Sequence, residues 1–197
     1  MDENVKQHLS LDPVMKNLLD QFEIKEYWGQ QRSHFLDLIE IITGQQLSMK
    51  AAKSIFNRLI SLYPSIPTPE QIINTPEDML RSAGLSRSKA LYIKNIAQAM
   101  TDRKIDTDSF ESMSDNEISC QLLKVKGVGP WTVEMFLIFT LHRPDIFSIG
   151  DLGIRSAIEK LYGINRNDKN AILKQSEAWR PYRTHACRLL WMSLENI

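Results

Sequence analysis

Apolar residues recur along this chain at intervals of three and four, the repeat of a helix with one buried face, and no stretch alternates in the two-residue rhythm of a half-buried strand. Phe35, Leu38, Ile39 and Ile42 form one such face. Ala51, Ile55, Phe56 and Leu59 form the next, and Ala90, Ile93, Ala97 and Met100 another. Trp131 to Leu141 is the densest apolar run; it is short and contains Thr132, Glu134 and Thr140, so it predicts a buried core helix rather than a membrane span. The punctuation agrees with the periodicity. Ser114 followed three residues later by Glu117 has the form of a capping box, and Pro76 before Glu77 and Asp78 sits just inside a helix start. Pro64, Pro67 and Pro69 mark a loop after the helix through Leu59, and residues 101–109 read as a second polar connector. The prediction is an all-α protein without low-complexity tracts or internal repeats.

Composition narrows the chemistry. A 197-residue chain that is 43% hydrophobic can bury a sizeable core. Its N-terminus is polar and acidic and has no secretory pattern, so an intracellular protein is expected, cytoplasmic or nucleoid-associated in a bacterium and nuclear in a eukaryote. The two cysteines, Cys120 and Cys187, form no CxxC pair, which argues against a disulfide scaffold, a zinc ribbon or a cysteine-held iron–sulfur cluster. The four histidines lack metal-ligand spacing, so no metal site is expected. Net charge is zero, yet residues 1–45 sum to −4 and residues 151–197 to +3. That asymmetry permits a nucleic-acid face towards the C-terminal end without establishing one.

The most informative segment runs from Leu122 to Thr132 and contains Lys126, Gly127, Val128, Gly129, Pro130 and Trp131. It reads as a helix end, a glycine turn and a new helix start. Gly127 and Gly129 permit positive φ and close backbone approach, and N–H groups at the following helix start can hold a phosphate oxygen. Lys126 adds attraction for an anion. By itself such a turn also serves as an ordinary connection between helices.

This LxxVKGVGPWT run resembles the hairpin of the helix-hairpin-helix DNA glycosylase superfamily, in particular its 3-methyladenine (alkylpurine) branch. The family pattern continues to an aspartate about twenty residues on, matched here by Asp151 in the run from Ile146 to Arg155. Taken alone, Asp151 reads as an N-cap for a helix over about 152–162, and the two roles are compatible. Residues 43–48, TGQQLS, are similar to the family segment that fills the hole left by an everted nucleotide; by position that plug is Gln46, although Gln45 and Gln46 on their own read as a solvated turn. Residues 84–93, GLSRSKALYI, and 179–186, WRPYRTHA, with Trp191 complete the resemblance.

The resemblance implies one domain over residues 1–197 with two helical lobes and a cleft between them. One lobe spans about 30–125; the other joins the N-terminal segment to about 126–197. It further implies a monomer that binds damaged double-stranded DNA, does not bind membranes and excises alkylated purines such as 3-methyladenine and 7-methylguanine. Asp151 is then the catalytic carboxylate, Trp131, Met135 and Trp191 line the base pocket, and Gln46, Lys126, Gly127, Val128 and Gly129 contact DNA. Members that cleave the strand carry a lysine after GVGP; Trp131 stands there, so hydrolysis without lyase activity follows. No cofactor is required, and the hairpin leaves room for a monovalent cation. Two departures bear on this reading. Met135 replaces an aromatic residue that the branch can present, and the short segment before Leu11 leaves no expectation of the extra N-terminal domain some relatives carry. A glycosylase for oxidised, deaminated or mismatched bases and a non-catalytic damage sensor both stay open.

Overall fold

Side-chain caps set most of the helix starts, because a Ser, Thr or Asp oxygen answers N–H groups that the first turn leaves without partners. The computed structural model describes residues 1–24 and 33–195, and every regular element among them is helical. Helices α1 (Glu3–Leu9) and α2 (Pro13–Gln21) follow the capping carboxylates of Asp2 and Asp12. Next come α3 (His34–Gly44) and α4 (Met49–Ile60), the latter capped by Ser48. Helix α5 (Pro69–Asn74) opens with a capping box between Thr68 and Gln71, and α6 (Glu77–Ser82) follows. Ser86 caps α7 (Arg87–Thr101), and the predicted Ser114–Glu117 capping box opens α8 (Asp115–Leu122). Helix α9 (Pro130–Phe139) starts behind Gly129, α10 (Leu152–Tyr162) behind Asp151 and α11 (Lys169–Ser176) behind Asp168. The last is α12 (Arg183–Glu195).

Two prolines behave differently from their sequence reading. Pro69 begins a helix instead of belonging to a loop, since its fixed φ and missing N–H suit the first helical position. Pro76 is the residue before α6 rather than its first helical residue.

The chain divides into two compact units, Gln31–Leu141 and a discontinuous one of Met1–Gln30 with His142–Ile197. In the first, α3 packs on α4, α7 and α9, while α7 also packs on α5 and α6. Leu38, Ile39, Ile42, Leu59, Ile93, Phe110 and Phe136 are fully buried there. Burial of each such side chain contributes about 1.5–3 kcal/mol. In the second unit α12 packs on α2 and α10. Its core includes Leu9, Met15, Ile154, Ile158, Trp179 and Leu190.

The sequence reading changed lobes near residue 125, whereas the contacts do so after Leu141. The reason is α9: six of its ten residues are buried, and it packs on α3 and α8, so the hairpin and the helix behind it belong to the Gln31–Leu141 unit. The expected lobe start near residue 30 lies outside the described residues. Among the described residues no helix is long and apolar enough to cross a membrane.

Candidate active site

Asp151 caps α10 through its Oδ1, which accepts the Ile154 N–H at 2.9 Å. The same oxygen accepts the indole N–H of Trp191, on α12, at 3.0 Å. A carboxylate at this end of a helix is stabilised by the aligned peptide dipoles, and two donors on one oxygen fix its orientation. Gly153 preserves the pair: a Cβ there would lie 3.0 Å from Asp151 Oδ1 and 3.4 Å from Trp191 Cδ1. Asp151 and Trp191 are therefore brought together, and the cap role read from sequence is real.

The segment leading to Asp151 is tied to the start of α12. Ile146 N–H donates to Thr184 Oγ1 at 3.0 Å, and Thr184 N–H donates to the Pro144 carbonyl at 3.0 Å. The Asp145 carboxylate accepts from Arg180 at 2.7 Å and from Arg183 Nε at 2.6 Å. These bonds give the WRPYRT stretch a physical role as the anchor of the loop that presents Asp151. Trp179 belongs instead to the core, fully buried, with its indole N–H on Asp12 Oδ2 at 3.0 Å. Asp12 escaped the sequence reading. It accepts the Val14 and Met15 N–H groups on Oδ1, and Tyr162, Gln175 and Trp179 on Oδ2. Burial, and then the neighbouring Asp12 charge, push the Tyr162 phenol well above its ordinary pKa.

The hairpin lies in the other unit. Gly127 has φ +107°, and a Cβ on it would fall 2.1 Å from Tyr92 Cγ, so both conformation and space require glycine. Gly129 differs from the sequence expectation: its φ is −105°, an ordinary value, and a Cβ on it would meet nothing within 4 Å. Nothing in the fold itself demands glycine at 129. No cap side chain answers the first turn of α9. Val128 is buried and its N–H donates to the Val125 carbonyl at 3.0 Å, so it closes the turn, while Lys126 is exposed. Trp131 is half-buried on the first turn of α9, and Met135, one turn on, is buried.

Gln46, between α3 and α4, is exposed and has φ +58°. A side chain other than glycine pays roughly 1–2 kcal/mol for that conformation, which Arg103 and His142 also adopt. Gln45 beside it is half-buried, and its Nε2 donates to Gly127 O at 3.2 Å and Thr132 Oγ1 at 2.9 Å. It is not the solvated turn residue its sequence context suggests. Lys89, also unassigned by sequence, donates to the carbonyls of Thr43 at 2.8 Å and Gln45 at 2.7 Å, and burial lowers its pKa. Among the described residues no cluster of His, Cys, Asp or Glu is arranged to hold a metal ion.

Comparison with known proteins bears on both units. DNA-3-methyladenine glycosylase 1 of Schizosaccharomyces pombe is 38% identical over 166 residues, covering 82% of this chain and 73% of the relative. A solved structure of an S. pombe 3-methyladenine DNA glycosylase in complex with abasic DNA superposes with TM-score 0.88 at 35% identity, covering 95% of each chain. A DNA-3-methyladenine glycosidase from Bacillus halodurans matches with TM-score 0.80 at 30% identity, covering 98% of this chain and 89% of the other. Residues 39–181 match the family model described as HhH-GPD superfamily base excision DNA repair protein. With its hairpin, its aspartate-capped helix and these relatives, the chain belongs to the HhH-GPD superfamily of base excision DNA repair proteins.

Proposed function

We propose that this protein hydrolyses the N-glycosidic bond of alkylated purines in double-stranded DNA, with Asp151 as the catalytic carboxylate, and leaves the sugar–phosphate backbone intact. The observation that carries the reading is the Asp151 carboxylate, held on one oxygen by the Ile154 N–H and the Trp191 indole. As the bond to the base breaks, positive charge develops on the sugar, and a carboxylate oriented in advance stabilises that charge without reorganising. One water adds to the sugar carbon as the base leaves, giving a free base and an abasic site. The residue after Pro130 is Trp131, which has no amine to attack the sugar, so no Schiff base forms and the strand is not cut.

The lesion class follows from charge. A 3- or 7-alkylated purine is cationic, which weakens its bond to the sugar and favours aromatic faces by ~0.5–2 kcal/mol. Trp131 and Trp191 supply such faces, and Met135 adds a polarisable apolar wall. The relatives named for 3-methyladenine, one of them bound to abasic DNA, support this substrate. To reach the bond the nucleotide leaves the stack at a cost of roughly a few kcal/mol. Gln46 fills its place, and the glycine backbone with Lys126 holds a strand phosphate. The chemistry needs no cofactor. The Lys126 and Gly127 carbonyls already accept side-chain amides from Asn95 and Gln45, and a monovalent cation at the hairpin has to share them. A chromosomal substrate makes the protein intracellular.

Incubation with methylated duplex DNA tests the reading. The expected products are free 3-methyladenine and 7-methylguanine, with strand breaks appearing only after alkali and no borohydride-trapped adduct. Release of an oxidised or deaminated base instead would replace the lesion class. Absence of release from every lesion duplex would leave a DNA binder.

A further inference from the structure

No step above uses Gln45 or the stretch that opens α7, although both sit beside groups assigned to DNA. Lys89, Tyr92 and Asn95 recur at intervals of three, along one side of α7. Lys89 holds the Thr43 and Gln45 carbonyls, at the negatively polarised end of α3 and in the turn that follows it. Tyr92 packs against Gly127 so closely that no Cβ fits between them. Asn95 Nδ2 donates to the Lys126 carbonyl at 3.0 Å. One helix thus grips both the Gln46 turn and the hairpin. Gln45 closes the remaining gap directly, its amide reaching from the turn to Gly127 O and to the hydroxyl of buried Thr132.

We infer that Gln45 is a positioning residue for nucleotide extrusion, setting the exposed Gln46 at a fixed offset from the hairpin that holds the strand. The inference rests on the roles proposed for Gln46 and the hairpin. A plug works only if it enters the stack at the right distance from the phosphate being held, and a misplacement of about 1 Å can cost on the order of 100-fold. Backbone strain at Gln46 persists only where its surroundings over-determine it. The Gln45 amide and the Lys89 ammonium, fastening the residue just before it, supply that determination. The donor is essential: a group of equal size without an N–H leaves the Gly127 carbonyl unanswered.

The test uses Gln45→Met, which keeps the length and removes the amide, and Gln45→Glu, which sets an acceptor against the Gly127 carbonyl. The probe is a duplex holding a tetrahydrofuran abasic analogue with 2-aminopurine opposite, whose fluorescence rises when a side chain enters the gap and unstacks it. Single-turnover release of alkylated purines from methylated DNA is measured in parallel. Gln45→Met is expected to remove most of the fluorescence rise and slow release about tenfold, with its melting temperature close to that of the wild type. Since Gln45 acts through Gln46, its substitution in a Gln46→Ala background is expected to cost about twofold or less, as coupled residues do not add. Losses that multiply in the double variant, or a Gln45→Met protein within about twofold of wild type in both assays, would overturn the inference. If Gln45→Met lacks a cooperative unfolding transition, Gln45→Glu carries the same comparison. A wild type that raises fluorescence but releases no base would sink the catalytic reading while leaving this inference testable by fluorescence alone.

Discussion

Asp12 and Asp151 occupy equivalent local positions in the same unit, each capping a helix and each accepting a tryptophan indole N–H at 3.0 Å. Their surroundings differ. Asp12 gathers donors from Tyr162, Gln175 and the fully buried Trp179, residues 150–167 positions away, onto Oδ2, while Oδ1 caps α2. It ties the N-terminal segment to the C-terminal helices. Asp151 receives its cap bond and its indole on one oxygen, from a half-buried tryptophan, at the end of a loop anchored by Arg180, Arg183 and Thr184. The same motif serves as a structural clamp at the start of α2 and, in the proposed reaction, holds the catalytic carboxylate at the start of α10. What sets Asp12 apart is the set of distant donors on its Oδ2 and the full burial of its indole partner, not the cap.

Substitutions sharpen that contrast. Asp12→Ala strands three side-chain donors and a helix cap, and should destabilise the fold by about 3 kcal/mol. In thermal unfolding that is a fall of roughly 6–12 °C. Asp151→Ala removes a cap and strands the Trp191 indole donor, and should cost less, about 2 kcal/mol. Equal losses from the two would erase the distinction. Gly127→Ala comes next: a Cβ 2.1 Å from the Tyr92 ring at positive φ should cost about 1–3 kcal/mol in urea unfolding. Trp191→Phe keeps the ring face but removes the donor to Asp151; base release should fall about tenfold, the equivalent of ~1.4 kcal/mol, at nearly unchanged melting temperature. Trp179→Phe should do the reverse, lowering stability while sparing the rate. The smallest change in folding is expected for Gly129→Ala, whose Cβ has open space. Its melting temperature should stay at the wild-type value while affinity for an abasic duplex, read by anisotropy, weakens severalfold as the added methyl obstructs the phosphate.

Much of the fold was legible because helices announce themselves locally. The apolar repeats at 35–42, 51–59 and 90–100 fall on α3, α4 and α7, and Ser114 with Glu117 forms the capping box its spacing implies. Pro69 was misread because proline marks both loops and first helical turns, and only the Thr68–Gln71 pair tells them apart. Packing was less legible. Nothing near Asp12 points to partners on the far side of the chain, and nothing in a QQ dipeptide separates a half-buried amide from an exposed one. A hydrogen bond across 82 residues leaves no local trace. Gly127 and Gly129 look alike in sequence; their backbones show that one is required by Tyr92 and the other is not required by the fold at all.

The most direct test of the account is single-turnover release of 3-methyladenine and 7-methylguanine from methylated DNA by wild type and Asp151→Asn, with binding to an abasic duplex measured on both. Asparagine keeps a good cap and removes the charge, so the account predicts unchanged melting and binding with release lowered by about 100-fold or more. Release by Asp151→Asn at close to the wild-type rate would contradict it, because the carboxylate would then be a cap and nothing else.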